Sequence, residues 1–242
     1  MGKVMMSGVA PNMTVPVTGI KGSDIAVGSI VKLMEGGVAT EYLVVNQGIP
    51  SGSSLYDASC DGMWLLRKDI IALMKWDADT SNVLETSDIH AWLNGDMLAK
   101  FDSVTQNTIK QVKIPYRKNG GKNGSNQSGA NGLPCKVFLL SGYEVGWTQN
   151  TNSCFPIDGA CLSYFIGTKT TDSKRIGYLN GTKKEWGLRS MYTYNTTDVW
   201  LVNIDGGYGN MDLPTTLGIR PAFVLPSNAI FDKNTMILMG VA

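Results

Sequence analysis

Residues that carry chemistry are scarce in this chain. It has one histidine, His90, and four cysteines, Cys60, Cys135, Cys154 and Cys161, with no C-x-x-C pair among them. Zinc sites draw on Cys and His at short, fixed spacings, so the pattern argues against a metal centre. The cysteines read as buried or free thiols. A Cys154–Cys161 disulfide is the competing reading, and it requires an oxidising compartment. No apolar run reaches the length of a membrane-spanning helix. The opening residues, Met1-Gly-Lys-Val-Met-Met-Ser-Gly, lack the apolar core of a secretory signal, which points to a chain made and folded in a cytoplasm without membrane insertion. Twenty-one basic and twenty acidic residues leave a net charge of +1. With no basic stripe, electrostatic nucleic-acid binding is disfavoured. The phosphate-loop spacing G-x-x-x-x-G-K-[ST] is missing, and no nucleophile motif accompanies His90, which reads as a surface or boundary residue. No catalytic set, metal or cofactor is assigned.

What is present is glycine and a good supply of apolar residues. Twenty-eight glycines among 242 residues favour turns, short strands and loops over long helices. Hydrophobic content of 43% places the chain among folded domains with a real core. Residues 1–27 are punctuated by Pro11, Pro16, Gly8, Gly19 and Gly22, which break helix and ladder alike. They read as an extended arm, too apolar for a free linker, that packs on its own domain or on a neighbouring subunit. Residues 28–242 form the second unit. Ser29–Met34 and Val38–Val45 flank Glu35-Gly-Gly37 as a β-hairpin. The clearest helix spans Thr86–Phe101, capped by Thr86 or Ser87 and weakened in its middle by Gly95. Asp102 caps a second short helix. Lys118–Gly132, almost free of apolar side chains, reads as an exposed, mobile loop. Ser141 and Glu144 have capping-box spacing and predict a short helix.

Two runs organise the rest: Trp186-Gly-Leu-Arg-Ser190 and Gly218-Ile-Arg-Pro-Ala-Phe-Val-Leu225. Each sets an arginine inside an apolar, strand-like stretch, which is costly unless charge or hydrogen bonds meet it. Trp64-Leu-Leu-Arg67 repeats the chemistry upstream. Arg67, Arg189 and Arg220 are therefore assigned structural roles, paired with main-chain carbonyls or Asp side chains, over the alternative of binding an anionic ligand. Between the two runs lies Met191–Leu217, rich in Tyr, Asn, Thr, Asp and Gly. Its candidate ligand-binding residues are Tyr192, Tyr194, Asn195, Trp200, Asn203, Asp205, Tyr208 and Asn210: tyrosines and a tryptophan supply rigid contact area, and the amides and Asp supply hydrogen bonds. For Trp200, within a strand, core packing is the stronger reading.

The order Trp-x-Leu-Arg-Ser, a polar-aromatic interval, a Val-rich strand with a Gly turn, then Gly-Ile-Arg-Pro-Ala-Phe resembles the C-terminal half of the C-type-lectin-like fold, in particular its formylglycine-generating-enzyme-like branch. It is also similar to an uncharacterised family of phages and gut bacteria, which adds an upstream Trp-Leu-Arg and a Trp-Leu-Asn helix, here Trp64–Arg67 and Trp92–Asn94. The resemblance runs from about residue 28 to 226. It implies an α+β domain of small twisted antiparallel sheets, short helices and long loops, with binding residues in the loops. The lectins' Glu-Pro-Asn and Trp-Asn-Asp calcium pattern is missing. Cys154 and Cys161 precede the C-terminal motif and lack the surroundings of catalytic cysteines, so neither activity is carried over.

The function this implies is that of a non-enzymatic bacteriophage virion protein, a capsid decoration, head fibre or tail-tip component. Its loops bind a host-surface glycan or protein, and residues 1–25 dock other virion proteins or form a homotrimer. A purely structural capsid or tail protein is one alternative, and a glycan-active enzyme, which needs two converging carboxylates, is the other.

Overall fold

The computed structural model describes residues 18–242, so most of the arm lies outside the described residues. Its last part belongs to the domain. Gly19–Lys21 pairs antiparallel with Ala229–Asp232, which pairs in turn with Leu238–Val241. Ile20 packs on the core opposite buried Phe231. A Cβ at position 19 would run into Ile230, so glycine is what lets the strand lie flat there. The boundary drawn at residue 27 therefore cuts through a sheet.

Two five-stranded sheets carry the core. The first runs Val137–Phe138, Ala222–Leu225, Met63–Arg67, Val38–Gln47, Ile30–Glu35 and is antiparallel throughout. The second runs Tyr208–Asp212, Asp198–Val202, Trp186–Met191, Thr216–Ile219, Ala72–Lys75. Its one parallel pairing joins Trp186–Met191 to Thr216–Ile219. Two-stranded ribbons and helices of one or two turns complete an α+β fold with far more strand than helix.

Local chemistry explains the elements that were foreseen. Gly36 and Gly37, at φ +58° and +78°, make the tight turn of the Ile30–Gln47 hairpin, since a two-residue turn with both φ angles positive follows the strand twist and suits glycine. Ser87 accepts from the His90 N–H and starts the helix at Asp88. The helix loosens into a π turn over Leu93–Met97, around Gly95, where a glycine weakens the ladder. Asp102 accepts from the Thr105 N–H and caps Ser103–Thr108.

Three expectations are corrected. The run ending Gly218–Leu225, read as one strand-like stretch, is two strands, Thr216–Ile219 and Ala222–Leu225. Pro221 offers no ladder N–H, and at Arg220-Pro221 the chain leaves the second sheet for the first. Met63–Arg67 and Ala72–Lys75 make the same passage on the facing ribbon. Lys118–Gly132 is largely exposed, as read, but it is built into the fold and not a free loop: Tyr116–Lys118 pairs with Ser125–Gln127, and Gly120 and Gly121 are buried. The Gly121 N–H donates to Asn82 at 2.9 Å. A Cβ there would strike the Tyr192 and Asn195 carbonyls. Having no side chains to bury, the segment buries backbone. Ser141 and Glu144 do form the reciprocal bonds of a capping box, at 3.0 and 3.2 Å, but the turn ends at Gly146, φ +94°, and no helix follows.

Candidate functional site

The strand Trp186–Met191 is buried along its whole length, so Arg189 has to be met by polar groups inside the protein. Its guanidinium forks onto Glu144, with Nη1 2.6 Å from Oε2 and Nη2 2.7 Å from Oε1. It also donates to the carbonyls of Pro115, Leu139 and Asp158. Glu144 accepts further from Tyr56 Oη at 2.9 Å. Burial alone would lower the Arg189 pKa; the charge of Glu144 and its two hydrogen bonds outweigh it, and the net shift is upward. Beside this pair, Ser190 donates to Asp158 Oδ2 at 2.6 Å. The other Asp158 oxygen is buried without a partner. Burial, opposed by Arg189 and Ser190, pushes the Asp158 carboxyl up to about 7.

The other two foreseen arginines are anchors as well. Arg67 pairs with Glu35 at 3.0 Å, and Tyr42 donates to the same carboxylate. Arg220 sits at the corner between the sheets, where it donates to the Arg67 and Lys68 carbonyls across the ribbon and lies 4.7 Å from the Trp186 ring centre. The carboxylates that serve as partners are Glu35 and Glu144, where aspartates were expected. A fourth anchor, Arg175, was missed. Fully buried, it donates to the carbonyls of Val145, Lys169, Thr170 and Gly206 and to Thr168 Oγ1. Its neighbours in sequence are polar, so no periodicity marked it. Glu144 was visible only as a capping residue, and nothing marked Asp158 or Tyr56.

Met191–Leu217 is not one loop. Asp198–Val202 and Tyr208–Asp212 form a hairpin whose two ends lie about 13 Å apart at the rise of a β-strand. Asn203 and Asp205 build the turn at one end, donating to the Tyr208 carbonyl and accepting from the Gly207 N–H respectively. Asn195, Tyr192 and Tyr194 gather at the other, and Asn210, opposite Trp200 in mid-hairpin, reaches toward it by donating to Asp198. The eight candidates therefore do not form a single site. Trp200 is buried, stacked on Phe155 with ring centres 4.0 Å apart, and half-buried Tyr208 meets Trp147, Phe155 and Trp200 edge-on. Both belong to packing: Trp200 lies on a strand buried along its whole length, and Tyr208, on the half-exposed edge strand, turns its ring onto the same aromatic cluster.

What remains exposed is a short aromatic step. Tyr194 is 64% accessible, leans edge-on against half-buried Tyr192, and Tyr192 rests on Trp200 with ring centres 5.2 Å apart. Next to it Asn195 accepts from the Thr197 and Asp198 N–H groups, and Asn210 donates to Asp198 at 2.7 Å. Burial works against the charge of Asp198, but hydrogen bonds from Asp212, Thr197, Asn195 and Asn210 hold its pKa below the usual carboxylate range. The bond to Asp198, and then its charge, push Asp212 upward. Thr197 Oγ1 lies 2.8 Å from Asp198 and 3.3 Å from Asp212. The two carboxyls are side by side on one ribbon, whereas glycoside hydrolysis needs two that face each other across the substrate. Among the described residues, no group of three or more His, Cys, Asp or Glu is placed to hold a metal ion, and all four cysteines are free thiols, so Cys154 and Cys161 are unpaired.

A family model described as a domain of unknown function, DUF6273, matches residues 61–227, about two-thirds of the chain. The chain belongs to this family. The DUF6273 match opens just before Met63–Arg67 and closes just after Ala222–Leu225, and so takes in Arg67, Glu144, Arg175, Arg189 and Arg220 together with the whole second sheet. It leaves out the Ile30–Gln47 hairpin and the terminal sheet. No curated protein and no solved structure matches the chain.

Proposed function

We propose that this DUF6273 domain is a non-catalytic display module, lectin-like in arrangement, that binds a host-surface glycan or protein through the step formed by Tyr192, Tyr194 and Asn195. The observation that carries this reading is an exposed tyrosine backed by a rigid aromatic stack. Tyr194 leans on Tyr192, Tyr192 on Trp200, and Trp200 on Phe155, so contact area is offered at little entropic cost on binding. Around it, Asn195 and Thr197 are tied down by the hairpin end and by Lys122, whose N–H donates to the Asn195 carbonyl. The setting follows the resemblance: a component of a phage particle, assembled through the N-terminal residues.

Two measurements test this. On glycan and host-protein arrays, Tyr194→Ala and Tyr192→Ala should each weaken the strongest wild-type signal at least about tenfold, in keeping with 1.4 kcal/mol per decade for an aromatic anchor, with melting temperature unchanged for the exposed Tyr194. Unchanged binding in both variants would remove this surface from consideration. Deleting residues 1–17, which leaves the terminal sheet whole, should convert an oligomer to a monomer in light scattering. A truncated chain that keeps the mass of the full-length species would refute assembly through that segment.

A further inference from the structure

The four anchoring arginines differ in what meets their charge. Arg67 has Glu35 and Arg189 has Glu144. Arg175 has no carboxylate, yet its guanidinium makes five hydrogen bonds to four carbonyls and a hydroxyl. Arg220 has no carboxylate in ion-pair contact; the charge of Asp69 acts on it only at longer range and does not outweigh its burial. Arg220 makes three hydrogen bonds, to the carbonyls of Arg67, Lys68 and Arg175, so two of the five N–H donors of a guanidinium are left over. The residue is only 3% accessible. Burial pushes its pKa down to about 10, which still leaves it cationic at neutral pH. A buried cation with no carboxylate in contact and an incomplete set of acceptors is costly.

Arg220 also lines an open cavity of about 290 Å³. Tyr164 and Tyr178 are among its walls, and Lys68, Lys174 and Asp69 complete its charged lining. Three cations thus face one carboxylate. Lys68 is held by exposed Glu41 at 2.6 Å. Lys174 lies 5.1 Å from the Tyr164 ring centre and donates to the Tyr164 carbonyl, so the rim is tethered in place.

We propose that this cavity binds a small carboxylate-bearing ring, of the class of a uronic acid, whose carboxylate supplies the missing acceptor for Arg220. A guanidinium with spare N–H groups suits a planar carboxylate. The two tyrosines give a sugar ring its apolar contact, which inorganic phosphate has no face to use, and Asp69 accepts from ring hydroxyls while disfavouring a dianion. The site shares no residue with the Tyr192–Asp212 surface, so it stands or falls separately from the proposed function.

Saturation-transfer NMR on the full chain, titrated with glucuronate, glucose and inorganic phosphate in parallel, tests this. Glucuronate should saturate, glucose and phosphate should not in the same range, and Lys174→Ala and Tyr178→Ala should each weaken glucuronate binding at least about fivefold. Both residues are exposed, so the fold survives their loss, and an unchanged melting temperature checks that it has. Absence of saturable glucuronate binding, equal binding of glucose or phosphate, or wild-type affinity in both variants would each overturn the assignment.

Discussion

Arg189→Ala should sharply lower the denaturation midpoint of the domain. The substitution strips Glu144 of its only charged partner in a place where both side chains are at most 1% accessible. It also removes the donors to the Pro115, Leu139 and Asp158 carbonyls. One guanidinium thus ties three separated segments to the middle of the second sheet. Breaking a buried pair from one side costs about 3–5 kcal/mol, a large part of the roughly 5–15 kcal/mol that a domain has in total. Guanidinium denaturation followed by near-ultraviolet circular dichroism reads the effect. The informative companion is Arg189→Met combined with Glu144→Leu, which removes both charges and should be milder than the single change, because replacing a buried pair by apolar groups leaves no orphaned ion. If Arg189→Ala unfolds at the wild-type midpoint, the anchoring role of this arginine is wrong.

Asp158→Asn should make the domain more stable at pH 8 and change little at pH 4. Burial raises the folded-state pKa of Asp158 from 3.8 to about 7, despite the lowering by Arg189 and Ser190. Between those values the native state keeps a proton that the unfolded chain releases. The unfolded state then binds fewer protons, so stability falls as pH rises. The contribution is complete below about 3.8, declines toward 7, and is flat above. The whole shift corresponds to on the order of 4 kcal/mol; relaxation around the unpartnered oxygen will reduce it. Asparagine carries no charge to bury and fills the same volume. Denaturation midpoints of the two proteins from pH 4 to pH 8 should therefore diverge as pH rises, and parallel curves would show that Asp158 does not hold a raised pKa.

The parts of this fold that a reader of the sequence could see are those in which local chemistry and tertiary packing agree. Gly36-Gly37 makes the turn it is suited to, Ser87 caps the helix it precedes, and Gly95 loosens that helix where it weakens it. The buried arginine strands were visible because a charge amid Trp, Leu and Ile has to be compensated. What stayed hidden depends on partners distant in sequence. Glu144 reads as a cap, yet its charge serves an arginine 45 residues away. Arg175 lies in a polar stretch and is buried by carbonyls that no pattern of side chains announces. The Gly121 backbone docks on Tyr192 and Asn195, and that of Gly120 on Asn82, because neither has a side chain to hold it off. In the candidate site, Tyr192 and Tyr194 were found with Trp200 and Tyr208 as one set, since composition tells that aromatics are present but not which side of a strand is covered.

The terminal sheet carries a mechanical consequence. Gly19–Lys21 and Leu238–Val241 run parallel to each other on either side of Ala229–Asp232, so the chain enters beside Asp232 and leaves beside Ala229, at opposite ends of the middle strand. Tension applied between Thr18 and Ala242 would slide the outer strands in opposite directions along the middle one. The inter-strand hydrogen bonds lie across that pull and would be loaded together, in shear, instead of being peeled one at a time. The two sheets that hold the arginine anchors would then stay unloaded until this clasp gave way.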